Sequence, residues 1–159
     1  MNDVLTLEEA IKWRNSLKNR TLAITNGCFD LLHYGHISYL MEASKLADEM
    51  LILVNSDESV KSLKGNNRPI INQFERSYIL SKIKPVSKVV IFDNKNCSKE
   101  LGLLKPDVYF KAGDYNLENI NKEEYNTLLQ CNSKIVFVPF VSNISTTKII
   151  EKIMCDKNG

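Results

Sequence analysis

The chain has 159 residues, of which 43% are hydrophobic and 25% charged, and its formal net charge is +2. This length and composition predict one soluble globular domain over residues 1–159, and the small net charge with scattered lysines disfavours a nucleic-acid-binding protein. No apolar stretch approaches the ~20 residues that span a bilayer, so no membrane contact is expected.

Targeting and thiol chemistry are the next features that the sequence constrains. Met1–Val4 lacks the basic and apolar segments of a signal peptide. The four cysteines, at positions 28, 97, 131 and 155, include no Cys-x-x-Cys pair, so neither a zinc site nor a disulfide framework is expected. Free thiols without a signal peptide favour a cytoplasmic protein.

Helices and strands alternate along the chain. A capping box, Thr6 with Glu9, opens a helix through about Leu17. Hydrophobic periodicity then predicts strands at 21–25, 50–55, 88–92, 108–111 and 134–138, and helices at 36–47, 72–82, 97–104, 121–130 and 146–154. This alternation predicts an α/β fold in which residues 1–20 form an N-terminal helix and lead-in. Residues 21–154 form a Rossmann-like core, a parallel sheet with helices on both faces.

Ligands of such sheets bind outside the carboxyl ends of the strands. Polar segments follow the predicted strands at 26–36, 56–57, 93, 113–114 and 139–145, so we expect them to meet at one edge. The segment 64–69 leaves this edge and carries two cations, Lys64 and Arg68. Neither a cap nor apolar periodicity fixes residues 63–69, which predicts a mobile loop that orders when a triphosphate binds.

The stretch from Thr25 to His36 carries the strongest chemical signal. A glycine turn follows a buried strand, and His33 and His36, the only histidines of the chain, lie where a helix begins. A helix N-terminus offers free N–H groups and partial positive charge, which suit a phosphate group. Two imidazoles in the same turn add donors for charge that develops during phosphoryl transfer.

A second helix start repeats this anion-binding chemistry near the other end of the chain. Ser145, Thr146 and Thr147 precede Lys148 and an apolar helical pattern. An N-cap serine alone contributes roughly 1 kcal/mol, which explains Ser145 without a ligand. Three consecutive hydroxyls exceed what capping requires, so we predict a second phosphate contact here.

The histidine turn resembles the His-x-Gly-His motif of the nucleotidyltransferase superfamily, which has a Rossmann-like fold. The Ser-Thr-Thr-Lys-Ile helix start resembles the superfamily's contact to the β- and γ-phosphates. Further segments make the chain very similar, from about Leu5 to Ile153, to the adenylyltransferase domains of bifunctional ADP-heptose synthases. They are Val54–Gly65, Arg68-Pro69, Glu75-Arg76, Lys105–Val108 and Lys111–Tyr115.

Two other interpretations remain. Glycerol-3-phosphate cytidylyltransferases share both motifs. They typically carry an arginine just before the Ser-Thr-Thr helix, where this chain has Phe140–Asn143. They also tend to carry Arg-Tyr-Val-Asp in the middle of the chain, where this chain has Lys84–Ser87. Ala112 and Asn143, which replace usual glycines, depart from the heptose group. A nucleotide-binding regulatory module without catalysis is the alternative from another class, although such a protein is expected to lose part of one motif.

The resemblance implies transfer of AMP from ATP to D-glycero-D-manno-heptose 1-phosphate, with Mg²⁺ accompanying ATP and no metal ligand from the chain. It also implies a functional link to a separate sugar kinase and, as a family expectation, a homodimer. The catalytic residues expected are His33, His36 and Lys64. Contacts to the nucleotide and its phosphates are expected from Gly27, Cys28, Phe29, Arg68, Ser145, Thr146 and Thr147.

Other roles are less specific. Asp30, Asp57, Lys111 and Asp114 lie at the same edge and are candidates for substrate contacts. Asp30 and Asp57 have a second interpretation as helix caps. Arg76 either reaches the site, pairs with a glutamate, or lies on a solvated helix face. Cys28 is interpreted as a small residue in a tight turn or as a reactive thiol.

Overall fold

The computed structural model describes residues 3–113, 115–139 and 145–155. Within these residues, the strands are β1 (Val4–Leu5), β2 (Leu22–Gly27), β3 (Glu49–Asn55), β4 (Lys88–Phe92), β5 (Val108–Ala112) and β6 (Lys134–Val138). The helices are α1 (Leu7–Ser16), α2 (Tyr34–Ala43), α3 (Asp57–Lys64), α4 (Gln73–Ser81), α5 (Ser98–Leu104), α6 (Lys122–Gln130) and α7 (Thr146–Cys155). A 3-10 turn, Ser44–Leu46, follows α2.

The six strands form one sheet in the order β1-β4-β3-β2-β5-β6, and every neighbouring pair is parallel. The chain moves outward from β2 to β3 and β4, and then returns to the other side of β2 for β5 and β6. This reversal places a topological switch point beside β2, where ligands of open parallel sheets bind. The predicted α/β fold, with a Rossmann-like parallel sheet, is confirmed.

Helices cover both faces of the sheet. Alternate residues of a strand point to opposite faces, and they enter two different hydrophobic clusters. Leu51 and Leu53 pack with residues of α1, α5 and α6, whereas Ile52 and Val54 pack with residues of α2 and α4. Burial on both faces explains why the strands are nearly continuous apolar runs.

The predicted elements are confirmed within a few residues, and two were missed. β1 contains only Val4 and Leu5, which is too short to show a periodic pattern. α3 begins after Ser56, whose side chain accepts a hydrogen bond from Ser59 N–H as the N-cap. The expectation that no cap fixes residues 63–69 was therefore wrong for Leu63 and Lys64, which are the last two residues of a capped helix.

No helix of the described residues combines the length and the apolar character that a membrane crossing requires.

Candidate active site

A cleft of about 830 Å³ opens at the carboxyl ends of the central strands. It brings together most of the predicted site residues, which come from distant parts of the chain. Those that line it are Gly27, Cys28, Phe29, Asp30, His33, His36, Lys64, Arg68, Lys111, Ser145, Thr146 and Thr147. Asp57 does not line the cleft, and Asp114 lies outside the described residues.

The loop after β2 approaches the cleft with its backbone. A Cβ atom at Gly27 would lie 3.1 Å from Cε2 of the Phe29 ring, so a side chain at Gly27 would require that ring to shift. Phe29 itself has φ 49°, a left-handed conformation that is uncommon for a bulky residue. Its ring is buried, and this packing holds the loop in its tight turn. The absence of a side chain at Gly27 and the burial of Phe29 thus have a common structural reason.

His33 is the N-cap of α2. Its backbone is extended, and its Nδ1 accepts a hydrogen bond from Gly35 N–H at 3.1 Å. Because Nδ1 is the acceptor, the proton of the neutral ring resides on Nε2, which is free to act as a donor. The cap therefore fixes both the position of the imidazole and its tautomer.

His36 lies one helical turn further on, with its ring centroid 4.0 Å from that of His33 and 5.4 Å from that of Phe29. Burial, and to a lesser degree the neighbouring His33, lower the pKa of His36 to about 4. Burial also lowers the pKa of His33. Both rings are therefore neutral at pH 7 and can serve as hydrogen-bond donors without carrying a proton charge.

Asp30 anchors the segment that carries Arg68. Its side chain is 1% exposed, and its Oδ2 accepts a hydrogen bond from Arg68 Nε. Its Oδ1 accepts from the N–H groups of Ile70 and Ile71 at 2.8 and 3.0 Å. The cap interpretation of Asp30 was wrong, because His33 caps α2. Arg68, one of the two cations of this segment, therefore has a carboxylate partner.

Asp57 also differs from its predicted position. Ser56 is the N-cap of α3, so the cap interpretation of Asp57 was wrong. The Asp57 carboxylate pairs with Arg76 Nη2 at 2.7 Å. Arg76 is 1% exposed, which contradicts both a solvated helix face and a pairing with a glutamate, and it does not line the cleft. The partners Cys28, Asn55 and Asp57 lie 48, 21 and 19 positions from Arg76, so helical periodicity gives no sign of its burial.

The start of α7 forms the opposite wall of the cleft. Ser145 Oγ accepts a hydrogen bond from Lys148 N–H at 3.2 Å, as an N-cap does. Thr146 Oγ1 donates to the carbonyl oxygen of Leu31 at 3.3 Å and so joins α7 to the loop before the histidine turn. The two predicted phosphate motifs therefore face one cleft. Asn143 lies outside the described residues.

A buried polar network that the sequence did not indicate closes one end of the cleft. Glu124 of α6 is 2% exposed and accepts hydrogen bonds from Asn26 Nδ2 at 3.2 Å and Tyr109 Oη at 3.1 Å. Lys111 Nζ lies 3.5 Å from its carboxylate and 4.9 Å from the centroid of the Tyr115 ring. Glu124 sits in a helical turn of polar residues, so only the folded chain shows that it is buried.

Cys28 is half-buried in the loop, and burial raises the pKa of its thiol. A raised pKa disfavours the thiolate, which is the reactive form. This agrees with the interpretation of Cys28 as a small residue in a tight turn. Among the described residues, no group of three or more histidine, cysteine, aspartate or glutamate side chains could hold a metal ion.

A family model described as cytidylyltransferase-like matches residues 24–152. The chain is 41% identical over 146 residues to a bifunctional protein HldE of Koribacter versatilis and 39% identical over 150 residues to one of Campylobacter fetus subsp. fetus. These matches cover 92% and 94% of this chain but only 29% and 31% of the relatives, so the chain spans about three tenths of their length.

Solved structures support the same fold. A lipopolysaccharide core biosynthesis protein from Thermoplasma volcanium GSS1 has a TM-score of 0.62 at 24% identity, with 79% of this chain and 100% of that chain covered. A pantoate-beta-alanine ligase from Francisella tularensis has the same TM-score at 16% identity, with 96% and 78% covered. The sequence match over residues 24–152 shows that the chain belongs to the cytidylyltransferase-like family, within the predicted superfamily of nucleotidyltransferases with a His-x-Gly-His motif.

Proposed function

We propose that the chain, as one domain, transfers AMP from ATP to D-glycero-D-manno-heptose 1-phosphate and releases pyrophosphate and ADP-heptose. One observation carries this proposal: the histidine turn and the start of α7 face the same cleft and are joined by the hydrogen bond from Thr146 to Leu31. The acceptor assignment rests on the resemblance to ADP-heptose synthases, which the similarity to the two HldE proteins supports.

The chemistry requires little from the protein beyond positioning and charge stabilisation. An oxygen of the acceptor phosphate is already ionised at neutral pH, so it can attack the α-phosphorus of ATP without a general base. A new P–O bond forms as the bond to the pyrophosphate oxygen breaks, and the leaving group carries the displaced electron pair. Negative charge moves toward the leaving group in the transition state, where fixed donors stabilise it.

The described residues supply such donors from two sides. Under this proposal, neutral His33 and His36 donate to the α- and β-phosphates, together with the backbone N–H groups of Gly27–Phe29. Ser145, Thr146 and Thr147 hold the terminal phosphates across the cleft. Lys64 and Arg68 close over the phosphates from the loop side, and Lys111 and Asp114 contact adenosine or heptose.

Mg²⁺ would enter as part of the Mg·ATP substrate, because the described residues offer no cluster of ligands that could hold it alone. Its charge would offset that of the triphosphate.

Pyrophosphate release from a matrix of four nucleoside triphosphates and several acceptors tests the proposal. The acceptors are heptose 1-phosphate, glycerol 3-phosphate and hexose 1-phosphates. We expect the highest kcat/KM for ATP with the heptose. Faster turnover of CTP with glycerol 3-phosphate would replace this proposal by a cytidylyltransferase. Nucleotide binding without turnover of any pair would indicate a regulatory module.

A further inference from the structure

The guanidinium group of Arg76 is buried directly behind the loop that carries the proposed phosphate contacts. Arg76 lies in the first half of α4 and is 1% exposed. It lines, together with Phe29, a smaller cavity separate from the cleft, and it does not line the cleft itself. A buried cation in this place needs an explanation, since an isolated charge is costly to remove from water.

Four acceptors surround this guanidinium. Nη1 donates to the carbonyl oxygen of Cys28, and Nε donates to that of Ile71 at 2.9 Å. Nη2 donates to the carbonyl oxygen of Asn55 at 2.9 Å and to the carboxylate of Asp57 at 2.7 Å. One side chain therefore binds the loop after β2, the end of β3, the first turn of α3 and the segment that follows Arg68.

The bond to Cys28 sets the direction of the next peptide N–H. In a trans peptide the C=O and N–H groups point in opposite directions. The Cys28 carbonyl points at Arg76, so the N–H of Phe29 points away from Arg76. Cys28 and Phe29 line the cleft, whereas Arg76 does not. Among the described residues, this N–H donates to no carbonyl oxygen or side chain.

The orientation of this peptide requires outside support. Phe29 has φ 49°, and left-handed conformations of bulky residues persist only where the surroundings hold them. The Arg76 hydrogen bond holds the Cys28 carbonyl toward Arg76, which does not line the cleft. It thereby favours the conformation in which the Phe29 N–H is available to an anion.

We propose that Arg76 is a positioning residue that holds the peptide between Cys28 and Phe29 so that the Phe29 N–H donates to a phosphate group in the cleft. This inference deepens the proposed function and rests on it for the identity of the phosphate. Lysine cannot replace arginine here, because an ammonium group presents three donors from one point and cannot reach four separated acceptors.

The decisive variant is Arg76→Lys, and Leu80→Ala is its matched control. Leu80 is fully buried on the same helix and belongs to the hydrophobic cluster between the sheet and helices α2 and α4. It does not line the cleft and takes part in none of the four hydrogen bonds of Arg76. Thermal unfolding first identifies a temperature at which both variants are folded. Affinity for inorganic pyrophosphate with Mg²⁺ is then measured by calorimetry, and kcat and KM by pyrophosphate release.

We expect Arg76→Lys to weaken pyrophosphate binding and to lower kcat, each by at least about tenfold. The KM of the acceptor should change less than about threefold. Leu80→Ala should lose stability while retaining pyrophosphate affinity and kcat. Unchanged affinity and turnover in Arg76→Lys would overturn the proposal, and so would equal losses in both variants, because a general loss of stability would then explain them.

A measurement on the unmodified chain covers the case in which Arg76→Lys does not fold. The amide resonance of Phe29 should shift when pyrophosphate is added, and an unshifted amide would overturn the proposal. Pyrophosphate binding is measured without turnover, so these results separate the two proposals. A chain that binds pyrophosphate through the Phe29 amide but transfers no AMP would contradict the proposed function alone.

Discussion

The Nδ1 atom of His33 accepts a hydrogen bond from the backbone N–H of Gly35, so the first histidine of the turn is also the cap of the helix that carries the second. Capping uses one ring nitrogen, and the proposed donation to phosphate uses the other. A cap contributes about 1 kcal/mol to the free energy of unfolding, whereas a donor to developing charge lowers the activation free energy by about 3–4 kcal/mol. The two roles can therefore be measured separately.

Two substitutions at His33 separate these roles. His33→Asn retains a side-chain acceptor suited to a cap, so its free energy of unfolding should stay within about 0.5 kcal/mol of the unmodified chain. His33→Ala loses the cap and should be destabilised by about 1 kcal/mol. Both should lower kcat by at least about a hundredfold, because neither provides the Nε2 donor. Urea unfolding and pyrophosphate release measure the two effects, and near-normal turnover of His33→Asn would remove His33 from the mechanism.

The roles of the two carboxylate oxygen atoms of Asp30 can also be measured separately. Asp30→Asn can still accept from the N–H groups of Ile70 and Ile71, but its amide cannot accept from Arg68. Asp30→Ala loses all three bonds and should cost about 2–4 kcal/mol, because it leaves buried donors without a partner. Hydrogen exchange at Ile70 and Ile71 should accelerate strongly in the alanine variant and much less in the asparagine variant. Equal protection in all three chains would show that Asp30 does not anchor this segment.

The parts of the fold that the sequence predicts are those with a local cause. The capping box of Thr6 and Glu9 forms as expected, with both hydrogen bonds present. The buried strands are readable because both of their faces are covered, so each is an apolar run. α3 has only Val60 buried as an apolar residue, and its segment carries mostly polar and charged side chains. Its N-cap, Ser56, is a local signal, but Val60 and Leu63 are the only apolar residues of the helix, too few to reveal a helical period.

In the candidate site, too, the features with a local cause were predictable and the long-range contacts were not. Its motifs were predictable because each consists of neighbouring residues with a chemical reason for their spacing, as in the pair His33 and His36. The supporting contacts were not predictable, because they join residues far apart in sequence. Arg76 and the carbonyl oxygen of Cys28 are 48 positions apart, and Asn26 and Glu124 are 98 positions apart. Only the folded chain shows that Asp30 and Asp57 each pair with an arginine.

The hydrogen-bond network around Glu124 should be destabilised even by a substitution that keeps the shape of the Glu124 side chain. Glu124→Gln replaces one acceptor oxygen by an NH₂ group, which would face donors such as Tyr109 Oη or Cys97 N–H. We expect a loss of about 1–3 kcal/mol in the free energy of unfolding. Glu123→Gln is the control, because Glu123 is exposed on the same helix and its bond from Asn96 needs only an acceptor. Equal stability of the two variants would contradict a structural role for this network.

The pH dependence of stability should report the burial of His36. Its pKa is about 4 in the folded chain, against 6.5 as the ordinary value, so between these limits the unfolded chain binds more protons. Stability must therefore rise with pH across this window. The stability that the chain gains from burying a neutral His36 ring is fully present above about pH 6.5 and is lost as the pH falls to about 4. His33 acts in the same direction, because its pKa is also lowered.

Acidic groups do not obscure this window. Asp3, Glu9 and Asp48 also have lowered pKa values, but they start from ordinary values of 3.8 and 4.5, so their contributions are lost at lower pH. Between about pH 5 and about pH 7, we expect the free energy of unfolding to rise by about 2 kcal/mol, as judged by urea titration. In His36→Asn, which lacks the titrating ring, most of this slope should disappear. A slope that persists unchanged in His36→Asn would show that other groups set the pH dependence, and that the His36 ring is not held in its neutral form by burial.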